Sequence, residues 1–571
     1  MDRTRSRAAC ALAALALLCQ PVLARAQAAP PPSAAPAQPS REELNPAARL
    51  APAPSAPRDI FTAEPPGPCP LRDSQLTFTL QSVSFRGVSA LTPAELAPAY
   101  SDQIGKTLPV SAICDIRDRA SRIVFNHGVL ARVEIPQQTM AGGALVLEVI
   151  EAHVVNVRIR GDAGHAQAAV ERYLGKLRGM TPFDMRKAQR YLLLASDIPG
   201  VQVRAAVRPS VTGERGAVDL DITVSAKTVD AVANVQNLES QSVGRFGALA
   251  RVDVNSLTDL GERTSLVGYH TLDSDEQWVA QLLEEARIGG EGLIARGSLV
   301  YGQTRPGGSV AALKLQSDSF VAEAELAYPL VRLRRQNLNL AGGFDLVDES
   351  TDTAGLALNR DRLRVFYLRA NGDSRMESLG RIFQFSGALT FRKGVSGLGA
   401  SDDASLASIP TTRPGGQSDA WLVRGSGQVV TTVAGRLQFS GQVQGQYTSD
   451  RLLNYEQFAL GNLTVGRGYD PGTVLGDSGV GGELQLRYGP WPMHRLVVAS
   501  PYVFYDAGYI QNNGDAILRN RTLTSAGGGV TLRLANRFNL DLAYAQPFQA
   551  PYPGQAKPPG RILINFTASI L

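Results

Sequence analysis

The chain has 571 residues, a formal net charge of +5 and only 19% charged residues. That length exceeds one ordinary globular domain, and so weak a basic excess is no nucleic-acid signature, so several units and no nucleic-acid partner are expected. Its 56 glycines and 44% hydrophobic residues suit many short strands and turns better than helical bundles.

The N-terminus reads as a secretory signal over 1–26. Arg3, Arg5 and Arg7 precede an apolar run from Ala8 to Leu18, and Ala24-Arg25-Ala26 supplies a small-x-small cleavage site. Beyond it no run of about 18 apolar residues exists, so any membrane crossing has to be made by a closed barrel. Two cysteines leave with the signal. Cys69 and Cys114 remain, an even pair in an oxidising compartment, and a disulfide is the expected reading, with two unpaired buried thiols as the alternative.

Residues 27–75 form a Pro- and Ala-rich linker that cannot bury a core. One island inside it, Ser40-Arg41-Glu42-Glu43, has the Ser-x-x-Glu spacing of a helix cap, and Pro46 limits any helix that begins there.

Residues 76–151 read strand, helix, helix, strand, strand. Phe78, Leu80, Val83 and Phe85 are placed in one first strand ending at Gly87, and Thr92 with Pro93 opens a short helix. A longer helix puts Ile113, Ile116, Ala120, Ile123 and Val124 on one face, and His127-Gly128 stops it. Strands at Val129–Ile135 and Ala144–Glu151 follow. The same order returns over 152–227: a strand at His153–Gly161, helices at about 164–174 and 184–196, and strands at Val201–Arg208 and Ala217–Ser225. Two tandem βααββ units are an internal repeat.

From 228 to 571 the pattern changes to segments of about ten residues that alternate apolar and polar between turns. In Arg436–Tyr447, Leu437, Phe439, Val443 and Tyr447 oppose Arg436, Gln438, Gln442 and Gln446. Phe246, Ala250, Val252 and Val254 likewise oppose Arg251, Asp253 and Asn255. At roughly 21 residues per strand and turn this region holds about 16 antiparallel strands, an even number as single-chain bacterial barrels require. The fold class is therefore mostly β: a transmembrane barrel after two periplasmic units. A soluble two-sheet sandwich is the competing reading, disfavoured because so many strands would lack intervening helices. The longest gaps, 392–418 and 448–476, are read as extracellular loops.

No catalytic set, metal spacing or cofactor motif is found: five histidines lack ligand spacing, and Gly466-x-Gly468 lacks a strand-to-helix context. The Gly-rich stretch Asn462–Tyr488 carries Arg467 between glycines, where a loop could fold back into a polar lumen. Asp506 alternates against Val503 and Tyr505, which puts it on the lumen side as a possible bidentate partner for Arg467. Gly468 and Gly508 would permit close backbone approach. A solvent-exposed Arg467 and an unrelated lumen aspartate remain the alternative on spacing alone.

Glu456–Asn462 (EQFALGN), Gly466–Gly472 (GRGYDPG), Gly476–Gly479 (GDSG) and Phe504–Gly508 (FYDAG) resemble the conserved segments of two-partner secretion outer-membrane transporters, the ShlB/FhaC/HecB-like TpsB family. Asn234–Asp259 resembles that family's first barrel hairpin. The resemblance implies two POTRA units before a 16-stranded barrel in the bacterial outer membrane, with the POTRA units in the periplasm. It implies no enzymatic activity. It also implies that Arg467, in a loop tip with Gly468 and Tyr469, engages Asp506 of the strand that carries Gly508. The implied partners are an unfolded exported polypeptide (adhesin- or haemolysin-like) captured by the POTRA units, outer-membrane lipid, and periplasmic chaperones and barrel assembly machinery. In the family an N-terminal helix can plug the barrel, and Ser40–Leu50 is the candidate here. An assembly factor that inserts other barrels is the alternative; a passive porin leaves the two periplasmic units unexplained.

Overall fold

The computed structural model describes residues 38–50, 68–273, 275–401, 409–514, 519–535 and 537–570. The signal at 1–26 and the linker stretches 27–37 and 51–67 lie outside the described residues.

In the first periplasmic unit the expected single strand is two. Leu80 N donates to the Lys106 carbonyl and Gln81 N to that of Gly143, which breaks the run. Thr77–Thr79 then pairs with Thr107–Pro109, and Ser82–Arg86 runs parallel to Ala144–Glu148. Alternation marks both pieces as extended but carries no information on which neighbour each joins. The short helix Pro93–Leu96 starts at Thr92, whose N–H and hydroxyl both donate to the Glu95 carboxylate and hold it below its ordinary pKa. Helix Ala112–Asn126 buries Ile113, Ile116 and Ala120 against Leu145, Leu147 and Val149 of the sheet.

Cys69 and Cys114 form a disulfide that ties the end of the linker to this helix across a sequence separation of 45. A closed loop of that length removes enough unfolded-state freedom to stabilise by about 3–4 kcal/mol. Paired Cys69→Ser and Cys114→Ser substitution is expected to lower the urea midpoint of the periplasmic transition while the barrel transition stays in place. An unchanged midpoint would mean the bond constrains nothing.

The second unit repeats the arrangement, with strand His153–Asp162, helices Gln167–Leu174 and Met185–Ser196, and strands Val201–Pro209 and Ala217–Ala226. Both three-stranded sheets place the last strand in the middle, parallel to the first and antiparallel to the one before it. Asp184 caps the second helix, its carboxylate accepting from the N–H groups of Arg186 and Lys187. Tyr173, Phe183 and Leu192 form a core with Leu220 and Ile222.

The remainder is a closed antiparallel barrel of sixteen long strands, from Val229–Gln236 to Arg561–Ser569, with a short segment Trp491–His494 added beside the thirteenth. Closure joins Val235 to Phe566 and Ala233 to Ala568. The side-chain period of two sorts each strand. Leu266, Leu282, Leu368, Val503 and Tyr505 face outward and are exposed, while Val267, Gln281, Glu349 and Asp506 face inward and are buried. No described helix is long and apolar enough to cross a membrane.

The periplasmic turns of the barrel rest on the second unit. Arg172 donates to the carbonyls of Asp259 and Leu260, Lys176 pairs with Glu291 at 2.9 Å, and both carboxylate oxygens of Asp197 accept from Arg332 at 2.6 Å. Strand ends that leave this unit upward therefore turn back at the opposite, extracellular face. Residues 395–401 and 409–420 lie at that face. Segment 448–476, read as a loop at this face whose Gly-rich stretch could fold back, does enter the lumen, for reasons given by its side chains.

Candidate functional site: a loop and a plug inside the barrel

Within 448–477, Phe458–Leu460 pairs with Val474–Gly476 as a separate two-stranded sheet. The segment is thus a hairpin lying inside the barrel, not part of its wall. Its apolar residues Phe458, Leu460, Val465, Tyr469 and Val474 bury against Ile510 and Leu523 of the wall. The wall yields space through glycine. A Cβ on Gly508 would stand 2.5 Å from Leu460 Cδ2, and one on Gly468 would stand 2.8 Å from the Pro547 nitrogen. Gly508→Val is therefore expected to lift the hairpin from its seat, at about 1–3 kcal/mol of overpacking, and to raise spontaneous channel opening in planar bilayers. Wild-type opening in that variant would mean the seat is not tight.

The tip carries Arg467. Asp506, fully buried at 0% exposure, accepts from the Arg467 backbone N–H at 2.9 Å and from Nη2 at 2.9 Å, and Nε lies 3.3 Å from both carboxylate oxygens. Ser525 Oγ donates to the same carboxylate at 3.1 Å and accepts from Gly468 N at 3.2 Å. Arg467 Nη1 donates to Gln485 at 3.0 Å, Glu483 lies 3.5 Å from Nη2, and the guanidinium carbon sits 3.7 Å from the Phe504 ring centroid. One planar fork thus meets two carboxylates, an amide oxygen and an aromatic face, a geometry that lysine could not reproduce. Tyr469 OH donates to the Thr524 carbonyl at 3.0 Å and accepts from Gln549 N at 3.0 Å. All five residues singled out from the sequence, Arg467, Gly468, Tyr469, Asp506 and Gly508, meet at this place. Glu483, Gln485, Ser525, Phe504 and Gln549 were not singled out. Strand parity could have supplied Glu483 and Gln485, which alternate against Leu484 and Leu486.

Residues 38–50 occupy the extracellular half of the lumen. Ser40 N and Oγ each donate to Glu43 at 2.7 Å, closing the turn that the Ser-x-x-Glu spacing suggested, and Pro46–Leu50 form a 3-10 helix. Leu44 and Ala47 pack on Val279, Val300, Val321 and Val347. Arg49 pairs with Glu239 at 2.5 Å and lies over the Tyr269 ring, Ala47 N donates to Gln281, and Gln38 donates to Asn359. The segment lies inside the lumen, where a plug would sit. Beneath it the wall departs from the purely polar lumen expected. Val300, Val321, Val347 and Leu363 are neighbours in one lateral row of cross-strand pairs. Each sits in an ordinary alternating strand, so only the register reveals the row.

Residues 216–534 match the family of haemolysin secretion/activation proteins ShlB/FhaC/HecB. The chain belongs to this family. Residues 78–152 match the POTRA domain of ShlB type. In overall fold the protein is similar to CdiB from Escherichia coli, at 16% identity and a TM-score of 0.71 over 88% of this chain and 92% of that one. It is also similar to CdiB from Acinetobacter baumannii, at 15% identity and a TM-score of 0.66 over 92% and 96%. No curated protein matches the sequence. As a member of the ShlB/FhaC/HecB family the protein is an outer-membrane translocator of two-partner secretion, with its POTRA region in the periplasm. The family consists of transporters that bind a secreted partner through POTRA domains.

Proposed function

We propose that this protein carries one unfolded partner polypeptide from the periplasm through its own lumen, without enzymatic chemistry, and that the Arg467–Asp506 contact is the lock that holds the hairpin tip in the position passage requires. The observation that carries this reading is that both lumen occupants are held by side chains. The hairpin strands Phe458–Leu460 and Val474–Gly476 pair with each other, the entry at Leu452 bridges to Gln417 of the neighbouring extracellular loop, and the plug touches the wall through Leu44, Ala47 and Arg49. Either can leave while the barrel ladder stays closed.

The signal at 1–26 takes the chain to the periplasm, where chaperones and the barrel assembly machinery deliver it to the membrane. The exported partner then adds extended segments to a free sheet edge of the periplasmic units, Val201–Pro209 being one with alternate side chains Gln202, Arg204 and Arg208 exposed. From there it threads beside the hairpin. Folding outside removes unfolded chain from the equilibrium and gives the transfer its direction.

Photo-crosslinking residues placed at Gln202 and Gln485 test the route. During export, the partner is expected to link first to Gln202 and then to Gln485. Crosslinks at Gln202 to many nascent barrel proteins, with none at Gln485, would overturn the reading in favour of an insertion factor.

A further inference from the structure

The lumen hairpin has a second charged residue, and it faces a different wall. Glu456 closes the short turn Asn454–Glu456 where the segment enters the barrel, and it is 4% exposed. Its carboxylate accepts from Arg392 Nε at 3.1 and 3.2 Å, from Arg392 Nη2 at 2.6 Å and from Arg424 Nη2 at 2.9 Å. Arg392 Nη2 also donates to Asp345 at 2.7 Å, and Gln446 Nε2 donates to the Glu456 carbonyl at 2.8 Å. These partners stand on the seventh, ninth, tenth and eleventh strands. Arg467 is bound by the twelfth and thirteenth, and Gly468 beside it by Ser525 of the fourteenth. The hairpin is therefore fastened at separate arcs of the wall, and Asp470 adds pairs to Arg561 of the last strand and Arg245 of the first extracellular turn.

The plug reaches the Glu456 end directly, whereas toward the Arg467 end it meets the wall through Arg49 and Glu239. Arg41 pairs with Glu42 at 2.9 Å and lies within electrostatic range of Glu456, which attracts it, and of Arg392, which repels it. Arg41, Thr390, Arg424, Gln444 and Gln457 line one gap between plug, wall and hairpin. Tyr455, next to Glu456, packs in the same apolar cluster as Leu44 of the plug. Charge sets the consequence. With Glu456 present, its carboxylate and Asp345 stand among Arg41, Arg392 and Arg424. If the hairpin leaves, Arg41 keeps Glu42 but loses the attraction of Glu456 while the repulsion of Arg392 remains.

We propose that Glu456 is a junction coupling the plug to the lumen hairpin: its carboxylate anchors the hairpin to Arg392 and Arg424 and also retains the plug through Arg41, so that each leaves more readily once the other has left. Coupling of this kind is reciprocal by linkage. The junction rests on the translocator reading, because it takes both occupants to be able to leave the lumen.

Planar-bilayer recording of the full-length protein tests it without any secreted partner, so a failure here leaves the secretion reading standing. Glu456→Gln and Arg41→Gln are each expected to raise the frequency of full openings roughly five-fold, the lower end of ordinary coupling. The double variant is expected to open no more often than the more active single variant. Arg41→Gln combined with Arg467→Ala, which acts at the other wall, is expected to multiply the two effects. Heat-modifiable migration in gels establishes that each barrel has closed. Should Glu456→Gln fail to close, Arg424→Gln takes its place under the same criteria. Wild-type opening frequency in a closed Glu456→Gln barrel, or multiplication of the Glu456→Gln and Arg41→Gln effects, would overturn the junction.

Discussion

Secretion of the partner is expected to fall by roughly ten-fold or more in Arg467→Ala, in Asp506→Ala and in the double variant alike. Asp506 is fully buried and takes its hydrogen bonds from Arg467 and Ser525. Removing Arg467 leaves that carboxylate, and Glu483 beside it, without a counter-charge. Breaking a buried pair from one side costs about 3–5 kcal/mol, well above the 1.4 kcal/mol of a ten-fold change. Removing Asp506 leaves Arg467 with Gln485 and a more distant Glu483, too little to fix the tip against Ser525. Because each change breaks the same contact, the double variant should lose little beyond the worse single one. Partner in culture supernatants, measured against equal amounts of heat-modifiable barrel, provides the readout. Additive losses would mean that Arg467 and Asp506 act separately. Arg467→Lys should rescue poorly, since an ammonium cannot hold the carboxylate, the Gln485 amide and the Phe504 face together.

Deletion of Gln38–Leu50 is the second large effect. The segment fills the extracellular half of the lumen, and Arg49 is the cation paired with the fully buried Glu239 of the first extracellular turn. Its loss should give a steady conductance in place of brief openings and admit large antibiotics that the intact barrel keeps out. Barrel closure should not suffer, because the plug takes no part in the strand ladder. Arg49→Ala should give a milder form of the same phenotype, since Leu44 and Ala47 still pack on the valine row. An intact permeability barrier after the deletion would show that the lumen hairpin alone seals the pore.

Much of this was legible in the sequence because a barrel strand carries its own address. Val503 and Tyr505 against Asp506, or Leu484 and Leu486 against Glu483 and Gln485, state which face is wet without knowledge of any neighbour. The glycines at 468 and 508 were legible for a similar reason, since a missing side chain marks a close approach before the approaching group is known. What stayed hidden depends on which strands are neighbours and at what height. Glu456 lies 64 residues from Arg392 and 32 from Arg424, and nothing local in RLLNYEQF links it to either. Val300, Val321, Val347 and Leu363 become a row only through register. The break at Leu80 hid for the same reason: hydrogen bonds to Lys106 and Gly143 decided it, not the residues of the strand.

The most direct test of a dedicated translocator is to delete the gene in its host and compare the secreted and outer-membrane proteomes quantitatively. The account predicts that one large secreted protein disappears from the medium while the outer-membrane barrels keep their levels, and that Arg467→Ala reproduces this loss. A joint fall of many outer-membrane barrels, with no single secreted protein lost, would contradict it.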